Sequence, residues 1–304
     1  MKGAFKNSPF ISQLLMLIGV SLLGAFIFSL LFYFFIMLKG DFSVEMLENP
    51  AILYQNPDSL RVLQFFQSLG MFFFPALLLA SLFSDDRKAY LQIKEYSSVK
   101  LVFYVILSVF AIQPFINLMA EINAGIRLPE SMKSVEDWMM QMEEEGKQLS
   151  EMMLRGKDLL TLAFNIVIIG VIAGVGEEFF FRGVMQNVFR KVFRNEHVVI
   201  WTVALIFSAI HFQFYGFIPR MLLGAYFGYL LYYTKNIWAP VLAHFTHNTM
   251  GVLVYYSLHD TDKLEEFDSI GTGSDWWLGL VSLFLGLVLF LQIVKTAKRS
   301  STEQ

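Results

Sequence analysis

The sequence predicts an all-α fold, a polytopic helical bundle in a membrane with about eight transmembrane helices. Three observations carry this. Of 304 residues, 56% are hydrophobic and only 16% charged, with 32 Phe, whereas about a quarter of a soluble domain is charged. The mean hydropathy is +0.54. Apolar stretches near the length of about 20 residues that crosses a bilayer recur along the whole chain.

Taken in order, Leu14 to Leu38 is the first span. It is too long for a signal peptide and lacks a small-residue cleavage pattern, so it reads as a true anchor. Leu63 to Phe83 and Leu101 to Glu121 follow, carrying Gln64, Gln67, Gln113, Asn117 and Glu121, polar residues suited to helix–helix contacts. Residues 1–125 thus form an N-terminal three-helix membrane scaffold. An acidic connection, 126–158, places Trp138, Met142, Leu149 and Met153 at helical spacing among charges, as in an amphipathic helix on a membrane surface. A lid over a polar centre is the functional alternative for it. The second membrane region, 159–294, supplies Leu159 to Phe181, Val199 to Phe217, Ile218 to Tyr233, Ile237 to Ser257 and Trp276 to Val294. Its second and third spans nearly touch, joined at Pro219. A polar, disordered tail is expected over 295–304.

Lys and Arg in the connections set orientation. With a cytoplasmic N terminus the inner segments hold Lys2 and Lys6, then Arg87, Lys88, Lys94 and Lys100, then Arg190, Lys191 and Arg194, Lys235, and finally Lys295, Lys298 and Arg299. The short outer loops hold Lys39, Arg61, Arg220 and Lys263. Both termini are therefore expected in the cytoplasm, and the membrane is expected to be a bacterial cytoplasmic membrane. The chain has no Cys, which excludes disulfides, thiolate ligands and a cysteine nucleophile. A net charge of −3 without a dense basic patch gives no reason to propose nucleic acid.

The chemistry is concentrated in 159–294. Gly176 to Gly183 reads Gly-Glu-Glu-Phe-Phe-Phe-Arg-Gly inside an apolar stretch, and the pairs Phe207/His211 and His244/Asn248 recur downstream. Ionisable groups at membrane depth cost about 2.5–3.5 kcal/mol even on the most forgiving scale, so they mark function by default. Residues four apart share a helix face, which pairs Glu178 with Arg182 and leaves Glu177, about 100° away, available. A desolvated Glu beside a His suits water activation, and a second His with an Asn amide supplies donors for an oxyanion. Alternatively Glu177, His211 and His244 form a zinc site with an open position. Both routes lead to hydrolysis, so the cofactor is either none or Zn2+.

Plainer readings hold for other residues. His247 and His259 suit hydrogen bonds across a bundle, with His247 the one extra candidate ligand. His197 suits a helix end. Phe179, Phe180 and Phe181 suit lipid or neighbouring helices, and Gly170, Gly174 and Gly176 suit close helix packing.

Glu177-Glu178-x-x-x-Arg182, Phe207-x-x-x-His211 and His244-x-x-x-Asn248, in this order on successive membrane segments, resemble the three motifs of the CPBP intramembrane proteases. That family includes type II CAAX prenyl endopeptidases and the bacterial Abi or bacteriocin-processing proteins. The resemblance covers Leu159 to Tyr256. It implies an eight-helix membrane endopeptidase, labelled a metalloprotease by some and a glutamate protease by others, that cleaves a membrane-associated peptide or protein within the lipid bilayer. Glu177 and His211 would activate water, His244 and Asn248 would stabilise the oxyanion, and Glu178 and Arg182 would support the site. The rival readings are a catalytically silent membrane scaffold or immunity protein, and a proton-coupled transporter using Glu177, His211 and His244 as a relay. Helix depths place Glu177 and His244 in the cytoplasmic half, so the cavity is expected to open to the cytoplasm with the acidic connection on the opposite face.

Overall fold

The computed structural model describes residues 2–49, 52–53, 56–95 and 98–302, which form helices and no strand. The main helices are α1 (Phe10–Lys39), α2 (Pro57–Phe83), α3 (Val99–Ala124), α4 (Lys133–Leu154), α5 (Leu159–Phe189), α6 (Glu196–Ala209), α7 (Phe217–Thr234), α8 (Trp238–Leu258), α9 (Lys263–Ser269) and α10 (Trp276–Thr302). The protein is a polytopic helical bundle. Five helical stretches are long and apolar enough to cross a membrane: α1, α2, α3, α5 and Lys263–Arg299, which contains α9 and most of α10. Helix α6 is apolar but shorter, and the motif-bearing α7 and α8 fall outside this set among the described residues. The expected count of eight therefore stands at five by length and composition.

Local chemistry sets the helix ends. Asn56 accepts from the N–H groups of Asp58 and Ser59 ahead of Pro57, Ser98 accepts from Lys100 N–H, and Asp158 accepts from the Thr161 N–H and hydroxyl. These caps satisfy first-turn donors that have no helical partner. The Thr161 hydrogen bonds also hold the Asp158 carboxyl below its ordinary range. Gly40 ends α1 at φ 81°, a left-handed conformation costly for other residues.

Pro114 interrupts α3 and disturbs its backbone ladder. Ser282 of α10 repairs the break: its hydroxyl accepts from Phe115 N–H at 3.1 Å and donates to the Ala111 carbonyl at 2.6 Å. In lipid such freed groups must find partners inside the protein.

Two apolar clusters hold the bundle. One joins Leu17 of α1 and Leu79 and Phe83 of α2 to Phe179, Phe180 and Phe181 of α5, Phe207 of α6 and Val241 of α8. The other joins Val105 and Val109 of α3 to Phe227 and Leu230 of α7, Ala243 of α8 and Ile293 of α10. The three phenylalanines face neighbouring helices and are buried. Because lipid is as apolar as these side chains, close packing rather than water exclusion drives the association. A Cβ on Gly170 would lie 2.7 Å from Thr249 Oγ1, and one on Gly174 would lie 3.4 Å from Phe245 N, so these glycines let α5 and α8 touch.

Successive spans run in opposite directions. Lys6 pairs with Asp85 after α2, and Lys191 after α5 donates to the carbonyls of Lys6 and Ser8. These contacts gather the N terminus and the ends of α2 and α5 on one face. Helix α4 lies at the other face. It is tied there by Arg61 Nε to Met153 O, Tyr255 OH to Glu151 O, and Glu143 Oε2 accepting from Tyr215 N–H. Arg61, expected in an outer loop, is instead buried in α2 and bonded to Asp58, Asn165 and the Met153 and Arg155 carbonyls. Helix α10 continues through the expected tail to Thr302, while 303–304 lie outside the described residues.

Candidate active site

The site lies where the two apolar clusters meet, around a cavity of about 280 Å³ lined by residues of α5, α6, α7 and α8 and by the segment joining α6 to α7. Glu177 and Glu178 occupy one α-helical turn of α5 between two π-helical stretches, Ile166–Ala173 and Phe179–Met185. Such widened turns recur at functional sites because they re-aim side chains. Here the two adjacent carboxylates separate. The Glu177 side chain keeps 12% exposure and lines the cavity, whereas Glu178 has none.

Glu178 is engaged behind the cavity wall through one oxygen, while its buried Oε2 has no hydrogen-bond partner among the described residues. Its Oε1 accepts from Arg182 Nη1 at 2.8 Å and from His244 Nδ1 at 2.8 Å. Arg182 also donates from Nη2 to the Gly224 carbonyl at 2.8 Å. Its guanidinium carbon sits 4.6 Å from the centre of the Phe207 ring and 5.4 Å from that of Phe227. A charge-assisted pair with aromatic faces around the cation offsets the desolvation of both groups. Motif-one residues Glu178 and Arg182 thus reach motif three through His244.

These contacts fix the tautomers. A carboxylate can only accept, so His244 Nδ1 carries a proton and directs Nε2 toward Glu177, whose Oε2 is 3.9 Å away. The imidazole is stacked on Phe227, ring centres 5.0 Å apart. In the same way His211 Nδ1 donates to the Phe207 carbonyl at 2.7 Å, which leaves its Nε2 as the lone-pair nitrogen of the neutral ring. Helix α6 ends at Ala209 instead of running to Phe217, and Phe212 takes a left-handed φ of 52°. His211 therefore sits on the turn after α6, capping one of its last carbonyls. Asn248 donates one N–H to the Ile169 carbonyl at 2.8 Å and keeps a second N–H.

Glu177, His211, His244 and Asn248 all line the cavity, and His247 lines it beside them. Arg220 does too, although the sequence reading assigned it to an outer loop; it stands in the first turns of α7. The signal that singled out Arg182, a cation in an apolar segment, applies equally to Arg220. No group of three or more His, Cys, Asp or Glu among the described residues is arranged to hold a metal ion. The cavity reaches Gly216 and Arg220, and the adjoining segment is covered by α4 through Glu143 with Tyr215 and Trp138 with Phe214. It lies toward the face that carries the acidic connection, not the opposite face as helix depth alone suggested.

Residues 159–250 match the model of a family described as type II CAAX prenyl endopeptidase Rce1-like. The match bears out the resemblance carried by the three motifs, all of which it contains. An uncharacterized protein, YpbD, of Bacillus subtilis (strain 168) is 31% identical over 85 residues, 27% of this chain and 40% of that protein. The chain thus aligns with well under half the length of this relative. No solved structure matches the chain.

Proposed function

We propose that this protein is an intramembrane endopeptidase in which Glu177 activates a water molecule for attack on a peptide carbonyl. The observation that carries the reading is the convergence of Glu177, His211, His244 and Asn248 on one cavity, inside the segment that matches the endopeptidase family. A water held between the Glu177 carboxylate and the lone pair of His211 Nε2 loses a proton to Glu177 as its oxygen attacks the carbonyl. The free N–H of Asn248 and the His244 ring, once its Nε2 takes up a second proton beside the one on Nδ1, meet the developing oxyanion. Collapse of the tetrahedral intermediate breaks the C–N bond, and Glu177 returns the proton to the departing amine. Glu178 and Arg182 are positioning residues that orient His244.

The substrate class is a membrane-associated peptide or protein. Residues 1–125 serve as scaffold, 126–158 as a surface segment and 159–294 as the catalytic region, in a bacterial cytoplasmic membrane with both termini inside. A comparison of peptide termini in cells expressing the native chain or Glu177→Gln tests the reading and identifies substrates. Cleavage products present only with the native chain are expected. Identical termini in the two strains, with equal membrane insertion, refute it.

A further inference from the structure

Among the described residues, α4 is the long helix that buries no side chain. Its two ends are held differently. At the C-terminal end Arg61 donates to the Met153 and Arg155 carbonyls, Tyr255 to the Glu151 carbonyl and Tyr256 to the Lys157 carbonyl, so that α2 and α8 grip it from two sides. Gly156 follows at φ 136°, a conformation that a side chain would strain. Further toward its N-terminal end α4 touches three consecutive residues of the turn after His211. The Trp138 and Phe214 rings lie 5.1 Å apart between centres, Glu143 Oε2 accepts from Tyr215 N–H at 3.0 Å, and a Cβ on Gly146 would lie 2.9 Å from Gln213 Nε2. The turn runs from His211 to Gly216, both of which line the cavity.

The cavity beside that turn measures about 280 Å³. Pockets that bury even a drug-sized ligand span about 300–1,000 Å³, and an endopeptidase must hold chain on both sides of the scissile bond. The closed cavity is therefore too small for its substrate, and a wall has to move. The walls on α5, α6, α7 and α8 are packed into the two apolar clusters, whereas α4 has no buried side chain to give up. Segments with few buried contacts are the ones that open at low cost. We infer that α4 is a lid over the catalytic cavity, fixed at its C-terminal end and latched on the Gln213–Tyr215 turn by Trp138 and Glu143, and that it swings off this turn to admit a polypeptide. The inference rests on the proposed hydrolysis and adds to it the way the substrate enters. Closure over the substrate returns the turn, and His211 with it, to the cavity wall and shields the reaction.

The test uses the purified full chain in lipid nanodiscs, and its first arm does not depend on catalysis. Leu223 lines the cavity, so Leu223→Cys, in a chain without cysteine, reports opening through its rate of reaction with a polar maleimide. Adding Trp138→Ala and Glu143→Ala removes the latch and should raise that rate about fivefold, the fold-change equivalent to one net hydrogen bond. Val105→Cys, packed in an apolar cluster, should react no faster in the same background. An unchanged rate at 223, or an equal rise at 105 that marks general loosening, overturns the inference. The second arm locks the lid. A Cβ on Gly146 would lie 3.3 Å from Gln213 Cγ, within reach of a disulfide in the double variant Gly146→Cys/Gln213→Cys. The oxidised form should lose cleavage of a polypeptide reporter and regain it on reduction; cleavage by the oxidised form at the reduced rate also overturns the inference. Native-rate cleavage by Glu177→Gln, or none by the native chain, defeats the hydrolytic reading instead, and the labelling rates still decide the lid.

Discussion

At the residue scale, the two adjacent glutamates have opposite environments and should fail differently when altered. Glu178 binds Arg182 and His244 in full burial, so Glu178→Gln leaves a buried guanidinium without its counter-charge. Removing one partner of such a pair costs about 3–5 kcal/mol. Glu177 makes no comparable ion pair with an arginine. Thermal unfolding of the detergent-solubilised variants should therefore show a large loss for Glu178→Gln and little for Glu177→Gln. Equal losses would contradict the division of labour. The pairing of Glu178 with Arg182 was legible in the sequence because four-residue spacing on a helix is a local property. The His244 contact was not, because it joins residues far apart in the chain and depends on how α5 meets α8. Arg220 was misread for a related reason: charge counting treats every cation near a turn as solvent-facing, and the cavity exists only once α6 unwinds after Ala209.

At the scale of elements, the apolar stretches of α1, α2, α3, α5 and α10 were readable from composition, since each must satisfy its backbone internally in lipid. The π-helical stretches of α5 were not, because no short-range signal separates an i→i+5 turn from an α turn. Nor was the end of α6, where the residues from His211 to Gly216 form a turn that bonds to α4 and α7 rather than continuing the apolar run. Helix α3 offers a direct test of how elements support one another. Ser282→Ala removes the hydroxyl that serves both Phe115 N–H and the Ala111 carbonyl beside Pro114. With about 1–3 kcal/mol at stake for each buried group left unsatisfied, the variant should unfold at a clearly lower temperature. Pro114→Ala in the same background should recover much of the loss by restoring the helical ladder. No recovery would mean that the serine serves another purpose.

At the scale of the whole molecule, the alternation of helices puts α4 and the segment around His211 on one face and both the N terminus and the end of α5 on the other. In the proposed orientation, with the Lys- and Arg-rich segments inside, the second face is the cytoplasmic one. Single cysteines at Lys88 and Gln141, both exposed, test this in a chain that has none. An impermeant thiol reagent applied to intact cells should label the cysteine at 141 and spare the one at 88; the reverse pattern would invert the side from which the cavity is reached. The central claim, that Glu177 activates water for peptide hydrolysis, is tested most directly by single-turnover cleavage of a reporter peptide by purified native and Glu177→Gln protein whose metal content has been assayed by elemental analysis. Loss of a general base predicts a fall of about 10²–10⁴-fold in the cleavage step, with reporter binding retained and activity independent of added chelator. Cleavage by Glu177→Gln at the native rate, or activity that vanishes with chelator and returns with zinc, would contradict it.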